Sequence, residues 1–189
     1  MTPRRGLTSK DIVNSAAKIA NQNGLSYVSI SVVAQDLDIK PPSLYNHIRG
    51  LDELHELLAI HSCLLLYQKL HLATHNQSNR EALTSFSYAY IDFARAYPGQ
   101  YEAATHSYDE HHAQLKELQD QIINLVRTPL YELGFEEEYT VHLVRMLRSL
   151  LHGFVMLESA QGFKMDYQIN DSLDVMIETF LIGIQRFEK

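Results

Sequence analysis

Apolar side chains recur along this chain at intervals of three and four residues, and no stretch alternates apolar with polar long enough to make a strand. Ile12, Ala16, Ile19 and Ala20 fall on one helical face. Thr8 is placed to cap that helix, Asp11 sits near the positive end of its dipole, and Gly24 supplies the stop. A second helix starts after Ser29 with Ile30, Val33, Ala34 and Leu37 on one stripe. A long helix follows over residues 51–75, then helices over 79–96, 98–106, 109–133, 137–161 and 170 to the end. The breaks between the later helices fall at "HNQSN", "YPGQY", "ELGFEE" and "QGFKMDYQIN", all rich in turn formers. The expectation is an all-α chain of about nine helices.

Between the second helix and the long one stands "IKPPSLYNHI", which carries two adjacent prolines. Proline is tolerated in the first turn of a helix, where its missing N–H would have no partner, so Pro41 and Pro42 can open a third short helix. Leu44 and Ile48 then form a small apolar side, and Ser43, Tyr45, Asn46 and His47 face elsewhere. The turn Asp38-Ile39-Lys40 joins this helix to the one before. Three short helices with such a turn have the organisation of a helix-turn-helix, whose last helix enters the major groove of DNA. Ser43, Tyr45, Asn46 and His47 can meet base edges and phosphates, Lys40 and the free N–H groups at the helix start can meet phosphate oxygens, and the proline faces can pack on thymine methyls.

Charge sharpens that reading. The formal net charge is −7, yet residues 1–50 carry +3, which leaves −10 on the remainder. A basic head on an acidic body suits a nucleic-acid-binding module joined to a domain with another task. Cys63 is the only cysteine and lies in an apolar run, so no internal disulfide or multi-cysteine zinc site is available, and a buried, inert thiol is expected. The start "MTPRRGLTSKD" has no apolar signal core, and "LLAIHSCLLLYQKLHL" is interrupted before membrane length. A cytoplasmic protein with no membrane partner is the expectation.

Residues Thr8 to Leu58 resemble the DNA-binding domain of the tetracycline-repressor (TetR) family. The features that carry the resemblance are Ala16-Ala17, Gly24, Ser29 before Ile30, Val33-Ala34, and "LYNHI". It implies a DNA-reading surface made by Lys40, Pro41, Pro42, Ser43, Tyr45, Asn46 and His47, assisted by Ser29 and Ser31. Two positions depart from the family pattern. Lys40 stands where a capping Ser or Thr is usual, and Leu51 replaces a lysine often found at the start of the fourth helix. Without that lysine, Tyr45, Arg49 and the N–H groups near Asp52 must carry more of the phosphate anchoring. The domain boundary is then expected at residue 50, with residues 1–50 as the head and 51–189 as an effector-binding and dimerisation domain.

In that body, Leu143, Leu147, Leu150, Phe154 and Leu157 repeat at intervals of four and three, as do Leu173, Ile177, Phe180, Ile184 and Phe187. With Gly153 and Gly183 allowing close backbones, these seams suit a four-helix bundle between two copies. Leu147, Leu150, Phe154, Ile177, Phe180 and Ile184 are thus expected at a homodimer interface, and a symmetric pair of heads matches a palindromic operator. "RSLLHGFVMLESAQGF" resembles the C-terminal domain of a TetR subgroup named for a Trp-His-Gly motif, with Leu151-His152-Gly153 here. On the same helix Arg145, Arg148 and His152 share one side; as the lining of a cavity they would favour an anionic or polar effector, and the alternative is a solvated face or pairing with acids such as Glu138 and Glu158. The family builds its pocket in the segment that holds Phe86, Tyr88, Tyr90, Phe93, Tyr97, Tyr101 and Tyr108, of which Tyr88 and Tyr108 are taken as ligand-binding.

Ten histidines raise metal binding, above all His71 with His75 and the pair His111-His112. The first pair has no third ligand nearby in sequence and adjacent residues do not share a helix face, so no metal is expected. Neither a nucleophile elbow nor a glycine-rich phosphate loop is present, and no cofactor is implied. The expected function is a ligand-responsive, non-enzymatic DNA-binding repressor whose partners are double-stranded DNA, a small-molecule effector and a second copy of itself. A helical-bundle enzyme or metal-binding protein sharing the head architecture is the alternative.

Overall fold

The computed structural model describes residues 6–106 and 112–185. Tyr108, His111 and Phe187, named above, lie outside the described residues. Those described form eight α-helices and two 3-10 helices, with no strand among them. The α-helices are α1 (Ser9–Asn23), α2 (Ile30–Asp36), α3 (Leu51–Thr74), α4 (Asn79–Ala96), α5 (Pro98–Thr105), α6 (Ala113–Glu132), α7 (Glu137–Ser159) and α8 (Ile169–Gln185). Leu25–Tyr27 and Pro41–Asn46 are 3-10 turns. The chain divides into two compact units, one of Met1–Leu66 with Ala96–Leu118 and one of Tyr67–Arg95 with Gln119–Lys189.

The first unit is built from caps and small residues. Thr8 and Asp11 make a reciprocal capping box at α1, in which Asp11 N–H donates to Thr8 Oγ1 at 3.2 Å and Thr8 N–H to Asp11 Oδ2 at 2.9 Å. Gly24, at φ 92°, ends the helix in a conformation that other residues rarely adopt. Ser29 caps α2 by accepting from Val32 N–H at 3.3 Å. The core joins Ile12, Ala16, Ala20, Val33, Leu44, Ile48, Leu54 and Leu58, all at 2% exposure or less. α5 lies so close to α1 that a Cβ on Gly99 would come within 2.1 Å of the Ala20 carbonyl. Two polar ties flank that approach. Asn21 Nδ2 donates to Gln100 Oε1 at 2.9 Å while Gln100 N–H donates to Asn21 Oδ1 at 3.0 Å, and Leu25 N–H donates to Glu102 at 3.0 Å. On α3, Cys63 is 1% exposed, burial pushes its thiol up to about 12, and its Sγ–H donates to the Ala104 carbonyl of α5 at 3.5 Å.

In the second unit α4 buries Leu83, Phe86, Tyr90, Ile91 and Phe93. Its last turn is tied down by Arg95, which donates to both Glu158 oxygens on α7 and to Asn170 Oδ1 on α8 at 2.9 Å. Arg127 of α6 donates to Glu137 of α7 at 2.9 Å. Five of the six residues expected at an interface on α7 and α8 are already buried within the single chain. Leu147, Phe154, Ile177, Phe180 and Ile184 are only 2–5% exposed in the single chain, so the repeats pack inside the unit at these positions, whereas Leu150 is half-buried and Leu157 is 52% exposed. An a/d repeat measures the width of an apolar stripe without saying whose surface covers it.

Candidate nucleic-acid interface

The helix-turn-helix is closed by a short turn with one unusual backbone residue. Leu37 N–H donates to Val33 O at 3.1 Å and Ile39 N–H to Ala34 O at 3.0 Å, between which Asp38 takes φ 53°. Aspartate is one of the few residues other than glycine that adopts this conformation readily. Two pins fix α2 on α1: Ser15 Oγ donates to Asp36 Oδ2 at 2.7 Å and Lys18 Nζ to Asp36 Oδ1 at 2.6 Å. Lys18 first, then Ser15, holds the Asp36 carboxyl below its ordinary value.

The reading segment Pro41–Asn46 is a 3-10 helix where a short helix of unspecified type was expected. Its prolines remove two N–H donors, so the first bond made is Ser43 N–H to Lys40 O at 2.9 Å, and the last are His47 and Ile48 N–H to Leu44 O. Leu44 is fully buried and Ile48 nearly so. Around that anchor Lys40, Pro41, Pro42, Tyr45, Asn46, His47 and Arg49 are exposed and Ser43 is half-buried. Tyr45, at 57% exposure, is a large aromatic side chain held outward beside a packed leucine. Ser31 is exposed, whereas Ser29 spends its oxygen on the α2 cap. The structure thus places all ten residues named from sequence on or beside one short segment and the start of α2.

Two further residues belong to this neighbourhood. Tyr27, in the 3-10 turn before α2, is 56% exposed. Glu53 faces Arg49 across the first turn of α3. An isolated tyrosine in a loop carries no periodic signal, but the i, i+4 spacing of Arg49 and Glu53 was readable.

The described residues expected to bind an effector lie on α4 and α7. Arg145 and Arg148 are exposed on α7, and His152 beside them is half-buried, its imidazole pKa lowered by burial and then by Arg148. Tyr88 is at the surface of the second unit, where its hydroxyl donates to Asp174 Oδ1 at 2.7 Å and is thereby held above its ordinary pKa. In the single chain the two arginines of the stripe face solvent, as the solvated-face alternative expects, and only His152 is partly covered. His71 and His75 are likewise exposed, with rings 5.8 Å apart, and among the described residues no group of three His, Cys, Asp or Glu side chains gathers as a metal site. No helix of the described residues is long and apolar enough to cross a membrane.

A short segment anchored by a buried leucine behind a left-handed turn has the organisation of a helix-turn-helix. Residues 83–180 match the family model described as the tetracyclin repressor-like C-terminal domain. Over 185 residues the chain is 40% identical to the uncharacterized HTH-type transcriptional regulator YobS of Bacillus subtilis (strain 168), covering 97% of this chain and 96% of that one. Two solved structures share the fold. A protein of unknown function from Rhodococcus sp. RHA1 has TM-score 0.82 at 18% identity, covering 97% of this chain and 98% of that one. A single-residue variant of TetR from Acinetobacter baumannii AYE, in complex with minocycline, has TM-score 0.73 at 16% identity, covering 97% and 99%. The chain belongs to the TetR family of DNA-binding transcriptional regulators.

Proposed function

We propose that this regulator is a homodimeric repressor that holds a palindromic operator and is released from it by a small-molecule effector. The observation that carries the reading is the exposed set Lys40, Tyr45, Asn46 and His47 around the buried Leu44. A side chain can read a base edge only if its own helix is seated independently of it, and that condition is met here.

Dimerisation is supported by an exposed apolar stripe that shares Leu150 and Leu157 with the α7 repeat but not its buried members Leu143, Leu147 and Phe154. On α7 Met146, Leu150, Gly153 and Leu157 follow one another at helical spacing, with Met146 49% and Leu157 52% exposed. On α8 Val175 is 63% and Ile182 52% exposed. A Cβ added at Gly153 or Gly183 would meet nothing within 4 Å in the single chain, as expected of positions where a second backbone comes close. Apolar faces of this kind are normally covered in solution. Effector response is supported by the attachment of the head: α5 meets α1 through Gly99 and Gln100 and the 3-10 turn after it through Glu102, and α5 follows α4 directly in the chain. An effector preferring a displaced α5 would shift the population of DNA-competent heads by its differential affinity for the two states. The buried aromatic residues of α4, Phe86, Tyr90 and Phe93, are the better place to seek it than the Arg145–Arg148 stripe.

Selection of bound duplexes from a random-sequence pool, followed by mobility-shift titration, tests the whole reading. Enrichment of a short palindrome, bound saturably at two protomers per site, is the expected result. Retention of no duplex even at low salt would end it.

A further inference from the structure

Arg49 and Glu53 form a closed pair at the junction of the reading segment and α3. Glu53 Oε1 lies 3.2 Å from Arg49 Nε, and its second oxygen accepts the Arg49 backbone N–H. That N–H is the main reason the Glu53 carboxyl is held below its ordinary value. The Arg49 side chain is 83% exposed and so presents its guanidinium to solvent two residues beyond His47. Arg49 and Gly50 line a shallow hollow with Asp52, Glu53 and Glu56, so that among the described residues lining it Arg49 faces three carboxylates. Glu56 lies 3.0 Å from His112 Nε2, and Asp52 and Glu53 stand beside the arginine.

A phosphate brought to this corner meets an arginine already facing a carboxylate. We propose that Glu53 is a built-in counter-charge to Arg49, one that sets operator affinity and its salt dependence below what the basic head alone would give. The inference rests on the DNA-binding reading above. When an unpaired cation takes a phosphate, a counterion leaves the DNA, and affinity falls with salt by a slope of about 0.9 per phosphate. When Arg49 takes a phosphate it gives up Glu53, and the carboxylate left at that corner competes for the guanidinium and repels the DNA, which offsets part of the gain. The contact then fixes the position of the reading segment while adding little non-specific attraction. In this scheme Glu53 acts through Arg49 and is a positioning residue.

Glu53→Gln keeps an oxygen to accept the Arg49 N–H and removes the charge. With a duplex selected by the wild type, and with a mixed-sequence duplex of equal length, fluorescence anisotropy across a salt series should show roughly two- to fivefold tighter binding per head at low salt. The salt slope should steepen by up to about 0.9 per head. Both changes should vanish when Arg49→Gln is present as well. Arg49→Gln alone should flatten the wild-type slope by less than half of that amount, a measurement that serves even if the Glu53 variant melts early. Unchanged or weaker binding by a folded Glu53→Gln would overturn the proposal. So would an equal gain in the Arg49→Gln background, which would reduce Glu53 to bulk negative charge. Failure of the wild type to hold either duplex would overturn the DNA-binding reading itself and is recognised separately by that control.

Discussion

Leu44 and Tyr45 are neighbours with opposite tasks, and substitution should separate them. Leu44 is fully buried in the core of the head, so Leu44→Ala should lower stability by about 2–5 kcal/mol through the cavity it leaves. Tyr45→Ala and His47→Ala remove exposed side chains and should leave the melting temperature nearly unchanged while weakening operator binding. Equal melting losses in all three would mean the segment is rotated from the orientation described. Asp36 makes a pH prediction. Lys18 and Ser15 hold its folded-state pKa below the ordinary 3.8, so the unfolded chain protonates first on acidification. Its contribution to stability is present above the ordinary carboxylate value and is lost as pH falls through the lowered folded value. Asp36→Asn should therefore melt lower at neutral pH and show a flatter decline below about pH 4. Parallel melting curves against pH for the two proteins would remove Asp36 from that role.

Helix α5 is short, and its position depends on the absence of a side chain. Gly99→Ala would push a methyl within 2.1 Å of the Ala20 carbonyl and 2.6 Å of Asn21 N, backbone atoms on α1 that cannot rotate away. Calorimetry should register a loss of roughly 1–3 kcal/mol, as overpacking produces elsewhere. A variant as stable as wild type would show that α5 can shift without strain. At this scale the sequence was most informative where a local rule decides the outcome. Thr8 and Asp11 announced the start of α1, Gly24 its end, and Leu44 with Ile48 the buried side of the reading segment. It was least informative where a distant surface decides. Nothing near Gly99 in sequence points to Ala20, and the repeats through Leu147 and Phe180 look alike whether a neighbouring helix of the same chain or a second copy covers them. Arg145 and Arg148 show the same limit: their spacing placed them on one side of α7 without deciding between a cavity wall and the solvated face on which the single chain puts them.

For the whole molecule, the two apolar stripes of α7 and α8 predict different failures. Phe180→Asp buries a charge inside the single chain and should cost much of the fold, lowering the helical signal and the melting temperature. Ile182→Asp and Leu157→Asp alter residues that are each 52% exposed in one chain, so they should leave that chain folded but shift sedimentation from dimer to monomer. Clean dissociation by Phe180→Asp with an unaltered melting curve would return the interface to the inner seam. Loss of the dimer should also weaken a full palindrome far more than a single half-site, because linking two heads raises their effective concentration on the second half-site.

The lone cysteine offers a clock for this machinery. Cys63 is buried on α3 against the Ala104 carbonyl of α5, with its thiol pushed up to about 12, so an alkylating reagent can reach a thiolate only after those helices part. The labelling rate of the unaltered protein therefore counts openings between α3 and the helix that holds the head. Operator DNA should slow that count and an inducing compound should hasten it, which turns one inert side chain into an assay for unknown inducers that needs neither a mutation nor a dye.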